Sequence, residues 1–268
     1  GCKGVGRMIW IKAFNSVDID SAYNQNGKNY RRTFIFDSEN AVSNEATEKL
    51  DTINDNKTII KLKGLKSKNK GNTPKKLSTI ARDILNHCFI YFVLDKAPII
   101  TLSDENETIS INKLFEEINK ENISKDSFKI GEEDFEIIHF KNYNPNSGFH
   151  CLNLCANDRR VSSINLQNTL NGINSRFITD KGDFVYYGYI TSKFLDDNVN
   201  RERTAFDIEE NQGSLFKSIT KSDIIEKAGK LILEYLSDDI LSYNNDKKEK
   251  IEKYVFYKNP RYRYIIKN

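Results

Sequence analysis

At 268 residues, with 38% hydrophobic residues, 29% charged residues and only 4 prolines, the chain has the composition of a globular protein with room for one large or two modest domains. Its 41 lysines and arginines against 38 acids leave a net charge of +3, too balanced for a dedicated nucleic-acid clamp. The longest apolar run, HCFIYFVL at 87–94, is a core-element length and excludes a membrane span, and no charged-then-apolar leader is present, so a reducing cytoplasm is the expected setting.

The chain opens with GCKGVGRMIWIKAF. Gly1, Gly4 and Gly6 give G-x-x-G-x-G, which is neither the dinucleotide fingerprint nor a Walker loop. Glycines admit an anion to the backbone and a following helix presents its positive end, so the loop suits phosphate, with Lys3 and Arg7 adding charge. A tight structural turn is the competing reading. Met8, the single methionine, is not at position 1, which suggests a chain cut from a longer parent; Val5 stands where an N-myristoylation signal needs Ser or Thr. Arg7–Phe14 carries its bulky residues on a helical spacing.

Strands are expected at 16–23, 29–37 and 57–65, with Asn26-Gly27 as a hairpin signal between the first two. Residues 38–56 read as a polar loop with room for a short helix. A Lys-, Gly- and Ser-rich connector at 66–72 marks a boundary. Thr73-Pro74 then has the form of an N-cap followed by a first-turn proline, opening a helix with Leu77, Ile80, Ala81, Ile84, Leu85, Cys88, Phe89 and Phe92 on one face. APIITL (97–102) reads as a strand, and helix and strand signals alternate through FEIIHF, HCLNLCAND, DFVYYGYIT and a strand near 204–208. Thr220 with Asp223 has capping-box spacing ahead of a long amphipathic helix, and a second, charged helix is expected at 246–257. The expected organisation is 1–72, 73–212 and a helical extension, 213–268.

Cys2, Cys88, Cys151 and Cys155 lack framework spacing and read as free thiols. His150, Cys151 and Cys155, with His139, invite zinc, but no C-x-x-C pair is present, and on a strand His150 faces away from both cysteines. Asp196/Asp197 and Glu132/Glu133/Asp134 read as solvated strand ends rather than acid–base sites. The lysines of 57–76 and the basic, aromatic segment at 254–268 keep nucleic acid open as a partner, although 254–268 fits the start of a further domain as well.

Two segments carry a family resemblance. GCKGVGR followed by MIWIKAF resembles the second glycine box of GHKL ATPases, the superfamily of gyrase B, MutL, histidine kinases and the chaperone HtpG. About 190 residues on, LDDNVNRERTAFDI (195–208) resembles the MutL transducer segment V-D-V-N-V-H-P-x-K-x-x-V-x-F, and CANDRRV (155–161) resembles the strand and turn before it. The resemblance implies an α+β protein: the C-terminal half of a GHKL (Bergerat) ATP-binding sandwich, a transducer domain and C-terminal helices. It implies a parent that binds and hydrolyses Mg2+-ATP to switch a homodimer, with the client open between DNA repair, phage defence and protein folding. Gly1, Lys3, Gly4, Val5, Gly6 and Arg7 would hold the phosphates. Thr58 would sit at the adenine, although Lys57 replaces the family's glycine and a strand-opening threonine is nearly as good an account. Arg203 falls where the family has the lysine that reaches the γ-phosphate; Arg201 is the alternative, and a surface ion pair the bland one. No Asp-x-Gly-x-Gly segment occurs, and the catalytic glutamate and Mg2+-binding asparagine have no counterpart, so this chain alone is expected to be inactive. The rival reading is a non-enzymatic nucleic-acid- or protein-binding module whose glycine loop is a turn.

Overall fold

The computed structural model describes residues 5–71, 76–118, 120–143, 148–173, 176–201, 204–211 and 218–257, and of residues 5–7 and 120 the backbone alone. The chain divides into two compact units, Gly1–Lys75 and Lys76–Asn268. Helices and sheets are both abundant, as the α+β expectation has it.

The first unit runs α1 (Val5–Ala13), β1 (Phe14–Gln25), β2 (Lys28–Asp37), β3 (Ala41–Leu50), β4 (Lys57–Leu65) and a short α2 (Ser67–Lys70). Its four strands form one antiparallel sheet in the order β3-β2-β1-β4. Asn26 and Gly27 both take positive φ, 53° and 75°, which gives the type I′ turn that matches the twist of β1 and β2. Beside the turn the rings of Tyr23 and Tyr30 stack across the strands with centroids 5.9 Å apart.

The stretch expected to be a loop is a strand. Asp37 accepts the amide protons of Glu39 and Asn40, which tightens the chain back on itself. β3 then pairs with β2, and charge fixes the pairing: Arg31 donates to Asp20 and Glu48, and Arg32 to Glu45. An edge strand with two wet faces shows no apolar alternation, so periodicity alone misses it.

The second unit is built on a five-stranded sheet in the order β10-β9-β12-β8-β7. The strands are β7 (Ile123–Ile130), β8 (Glu133–Asn142), β9 (Cys151–Ala156), β10 (Arg159–Asn165) and β12 (Gly182–Thr191), with short β11 (Phe177–Thr179) pairing on β12. Only β9 and β12 run parallel. β5 (Thr101–Ser103) and β6 (Thr108–Ser110) form a separate hairpin, so most of APIITL is not a strand.

Both faces of the large sheet are covered, which is why β8 and β12 read as nearly continuous apolar runs. On one face Phe135, Ile137, Phe184, Tyr186 and Ile190 pack against α7 (Lys221–Tyr235), whose Ile224, Ala228 and Ile232 recur every four residues. On the other, Phe89 stacks on Phe140 and Tyr189 at 4.7 and 4.8 Å. The helix carrying Phe89 is not continuous with its predecessor. Cys88 (φ −102°, ψ 13°) separates α3 (Leu77–His87) from α4 (Phe89–Val93), and α5 (Ile111–Glu116) packs beside them. α3 begins at Leu77 after Lys76; the Thr73-Pro74 cap lies outside the described residues. The Thr220–Asp223 capping box forms in full ahead of α7. The last helix, α8 (Ser237–Tyr257), starts well before the expected position because Ile240 and Tyr243 pack on the α7-side core.

Candidate functional site

Gly1–Gly4, with Lys3, lie outside the described residues, and α1 starts at Val5. Val5, Gly6 and Arg7 are the first described residues of α1, whose N-terminal end carries the positive partial charge of the helix. The opposite end is held by residues that follow β4. Lys66 donates its amide to Ala13 O at 2.9 Å and its ammonium to Ile11 O, and the Asn69 side chain reaches Ala13 O at 3.4 Å. A cation on the last carbonyls complements the dipole, so the Lys-rich connector fixes the axis of α1. Of the expected helix face, Trp10 and Ile11 are half-buried, while Met8 is 57% exposed.

Thr58 sits at the start of β4, opposite Ser21 of β1, and the two hydroxyls are 2.8 Å apart. It is exposed, on the sheet face that also carries Ile60 and Leu62. The basic strand contributes fewer free charges than its sequence suggests. Lys63 pairs with Asp18, and Lys66 is engaged by α1.

In the second unit the two segments that resemble MutL meet. CANDRRV is the end of β9, a turn and the start of β10; Asn157 and Asp158 both take positive φ, 51° and 61°. LDDNV begins in α6 (Lys193–Asp197), whose N-cap Ser192 accepts the amide of Leu195. From α6 the Asp196 carboxylate accepts the amide proton of Asn157 at 2.6 Å. Two more groups hold the same turn: the Tyr91 hydroxyl donates to Asn157 O at 3.3 Å, and Lys96 pairs with Asp158 at 3.4 Å. Asp196, read from sequence as a solvated acid, is thus part of this clamp, and Tyr91 and Lys96 carry no local sequence signal for it.

Beyond α6 the chain folds into a narrow loop. Asp207 donates its amide to Asn198 O and Asn200 donates to Ala205 O, while Val199 and Phe206 form an antiparallel bridge with Phe206 buried. The Asn200 side chain accepts the amide of Thr204 at 2.9 Å. The strand expected near 204–208 is reduced to this single bridge. Arg201 is exposed in the loop; Arg203 lies outside the described residues, between flanks that these bonds pin.

The histidines and cysteines do not converge on a metal: no cluster of three His, Cys, Asp or Glu residues exists among the described residues. His150 is buried and its Nδ1 accepts the amide of Tyr186 at 2.8 Å. Burial pushes the Cys155 thiol up to about 12 and raises Cys151 and Cys88 as well, so all three are protonated at neutral pH and are poor ligands. His139, also fully buried, stacks on Tyr235 at 4.5 Å, and its Nδ1 lies 2.7 Å from the Tyr186 hydroxyl. Its Nε2 is 3.3 Å from the Asp126 carboxylate, without the alignment of a hydrogen bond. Burial holds this imidazole down at about 4. Among the acids, Asp134 is taken up by Lys129 at 2.9 Å.

No protein-family profile matches the chain. No curated protein sequence matches it. Among solved structures it is similar to the ATPase domain of the bacterial mismatch repair endonuclease MutL from Aquifex aeolicus, at 15% identity over 76% of this chain and 78% of that one, with a TM-score of 0.35.

Proposed function

We propose that this chain contributes the phosphate-binding side of a GHKL-type ATP site, together with a second unit that senses the γ-phosphate. The observation that carries the reading is the helix that follows the GCKG segment in the chain: α1, described from Val5, carries Gly6 and Arg7 at its described beginning and is anchored at its other end by Lys66. Val5, Gly6 and Arg7 supply amides, Lys3 and Arg7 supply charge, and Gly1 and Gly4 let the backbone approach oxygen. Mg2+ enters with the nucleotide. Arg203 stabilises charge that develops on the γ-phosphate, and its loop is pinned by Asn200, Val199 and Phe206. Homodimerisation, a switch driven by slow hydrolysis and an adenine contact from Thr58, whose hydroxyl also faces Ser21, belong to the same reading.

The test uses the 268-residue chain. Binding should follow the number of phosphates and not the base: Mg2+-ATP and inorganic tripolyphosphate bind alike and weakly, AMP and adenosine do not, and Lys3→Ala with Arg7→Ala removes the difference. Because the chain has no Asp-x-Gly-x-Gly segment for adenine, it should not hydrolyse ATP by itself. Mg2+-dependent turnover by these residues alone would refute the division of labour. In a polypeptide that also supplies the family's glutamate–asparagine helix, Arg203→Ala should lower hydrolysis far more than ATP affinity; unchanged turnover removes the sensor assignment. The lysine-rich β4 supports the rival polyanion-binding reading less than its composition suggests, because Lys63 and Lys66 are already engaged.

A further inference from the structure

The second unit contains a cleft of about 320 Å³ between α3, the segment after α5, and the end of β8. Its floor is apolar and fixed. Leu85 of α3 and Phe140 of β8 are both buried, and the Phe140 ring is held between Phe89 and Tyr187. Above the floor stand three carboxamides, Asn86, Asn122 and Asn142, each able to donate and to accept. Asn142 is only 8% exposed and its side chain is already engaged, so the half-buried Asn86 and Asn122 are the amides a ligand meets. At the mouth are Arg82 and Lys181, with Glu117 as the acid among the lining residues. Lys141 also lines the cleft, but its ammonium is held 2.7 Å from Asp239 and lies over the rings of Phe184 and Tyr235. Arg82 and Lys181 have no such partner among the described residues.

From this juxtaposition we infer that the cleft binds a nucleotide: a flat base against the half-buried Leu114 and Ile118 over the Leu85–Phe140 floor, its edge read by the Asn86 and Asn122 amides, and its phosphate held by Arg82 and Lys181. An aliphatic surface accepts any base face, amides pair with base edges, and an arginine fork suits a phosphate oxygen pair. The volume lies at the small end of the ~300–1,000 Å³ range of ligand pockets, which admits one nucleotide and excludes a dinucleotide cofactor. The site is separate from the glycine loop and stands or falls without it. The nucleotide can be free or one residue of a single strand; both present the same chemistry.

Titration calorimetry with nucleoside monophosphates, the matching nucleosides, inorganic phosphate and short single-stranded oligonucleotides tests this. Monophosphates should bind, and nucleosides and inorganic phosphate should each bind at least about tenfold more weakly, because each offers only half of the recognised groups. The exposed double substitution Arg82→Ala with Lys181→Ala should weaken binding about tenfold or more without changing the thermal melt. Asn86→Trp, at a half-buried helix position, should fill the mouth and abolish binding. Lys3→Ala with Arg7→Ala should leave it unchanged, which separates this site from the glycine loop. An oligonucleotide that binds much more tightly than its monomer, with the same Arg82 and Lys181 dependence, identifies a single strand as the source; equal affinity identifies the free nucleotide. Failure of both to bind, equal binding of nucleoside and monophosphate, or insensitivity to the Arg82 and Lys181 substitutions overturns the inference.

Discussion

Replacing His139 with glutamine should flatten the acid limb of the stability curve. The imidazole lies fully buried on β8, stacked on Tyr235, with Nδ1 facing the Tyr186 hydroxyl. Burial raises the Tyr186 hydroxyl well above its ordinary pKa, so it stays protonated and can donate to Nδ1, leaving the proton of a neutral ring on Nε2 toward Asp126. Desolvation holds the folded pKa at about 4, with the Asp126 carboxylate pulling the other way, whereas an unfolded histidine titrates near about 6.5. Between those values the unfolded chain binds the extra proton and the folded chain does not. This contribution to stability is therefore complete above about pH 6.5 and is lost as the pH falls toward about 4. A gap of about 2.5 pH units at ~1.4 kcal/mol each gives a loss of about 3 kcal/mol. Urea unfolding of the wild type and of His139→Gln, at about pH 7 and about pH 4.5, measures it; the carboxylates and His87 titrate in both proteins and cancel in the difference. Glutamine keeps an acceptor for Tyr186 and cannot take the proton. Equal losses in the two proteins would show that His139 is not the buried neutral group the geometry describes.

Two further changes probe the frame that carries the second unit. Gly188→Ala would place a methyl 2.7 Å from Tyr186 Oη and 2.9 Å from Leu152 Cδ1, in a wall where that hydroxyl is already fixed to His139. The expected cost is about 1–3 kcal/mol, read as a lower melting temperature, and an unchanged melt refutes the packing described for β12. Thr220→Ala removes the side-chain half of the capping box from a buried position, and should lower the urea midpoint by the equivalent of about 1 kcal/mol, with Thr220→Ser restoring most of it. A midpoint that alanine leaves in place would mean that packing of Ile224 and Ala228 alone sets the start of α7.

What was legible in the sequence is what short-range chemistry determines. Asn26-Gly27 can meet the positive φ of both central turn positions, and the structure has that turn. Thr220 and Asp223 cap α7 because their bonds lie within three residues of each other. β3 was not legible because it is held by its backbone ladder to β2, flanked by the exposed Arg31 and Arg32 ion pairs, and its own residues alternate nothing. The break at Cys88 was hidden by the opposite fault. Apolar residues keep a helical spacing through it, but the two halves pack on different neighbours: Ala81 and Leu85 against Ile111 of α5, and Phe89 against Phe140 and Tyr189 of the sheet. Periodicity records that a face is buried, not what buries it. The early start of α8 follows the same logic, since SDDILSYNN becomes helical where Ile240 and Tyr243 find the core.

The candidate phosphate-sensing loop shows where such reading gains from geometry. CANDRRV and LDDNV are about 40 residues apart, and as strings they are two separate weak resemblances. The bond from Asn157 N–H to Asp196 turns them into one object: the β9–β10 turn and the first turn of α6 are held together, and the loop from Asn198 to Asp207 springs from that junction. Tyr91 and Lys96 arrive from a third, earlier segment to hold the same turn. The role proposed for Arg203 calls for such an anchor, because charge stabilisation fails when the charged group's anchor drifts by an ångström. The contacts on Asn157 and Asp158 thus join the two resembling segments in space, which neither string shows alone.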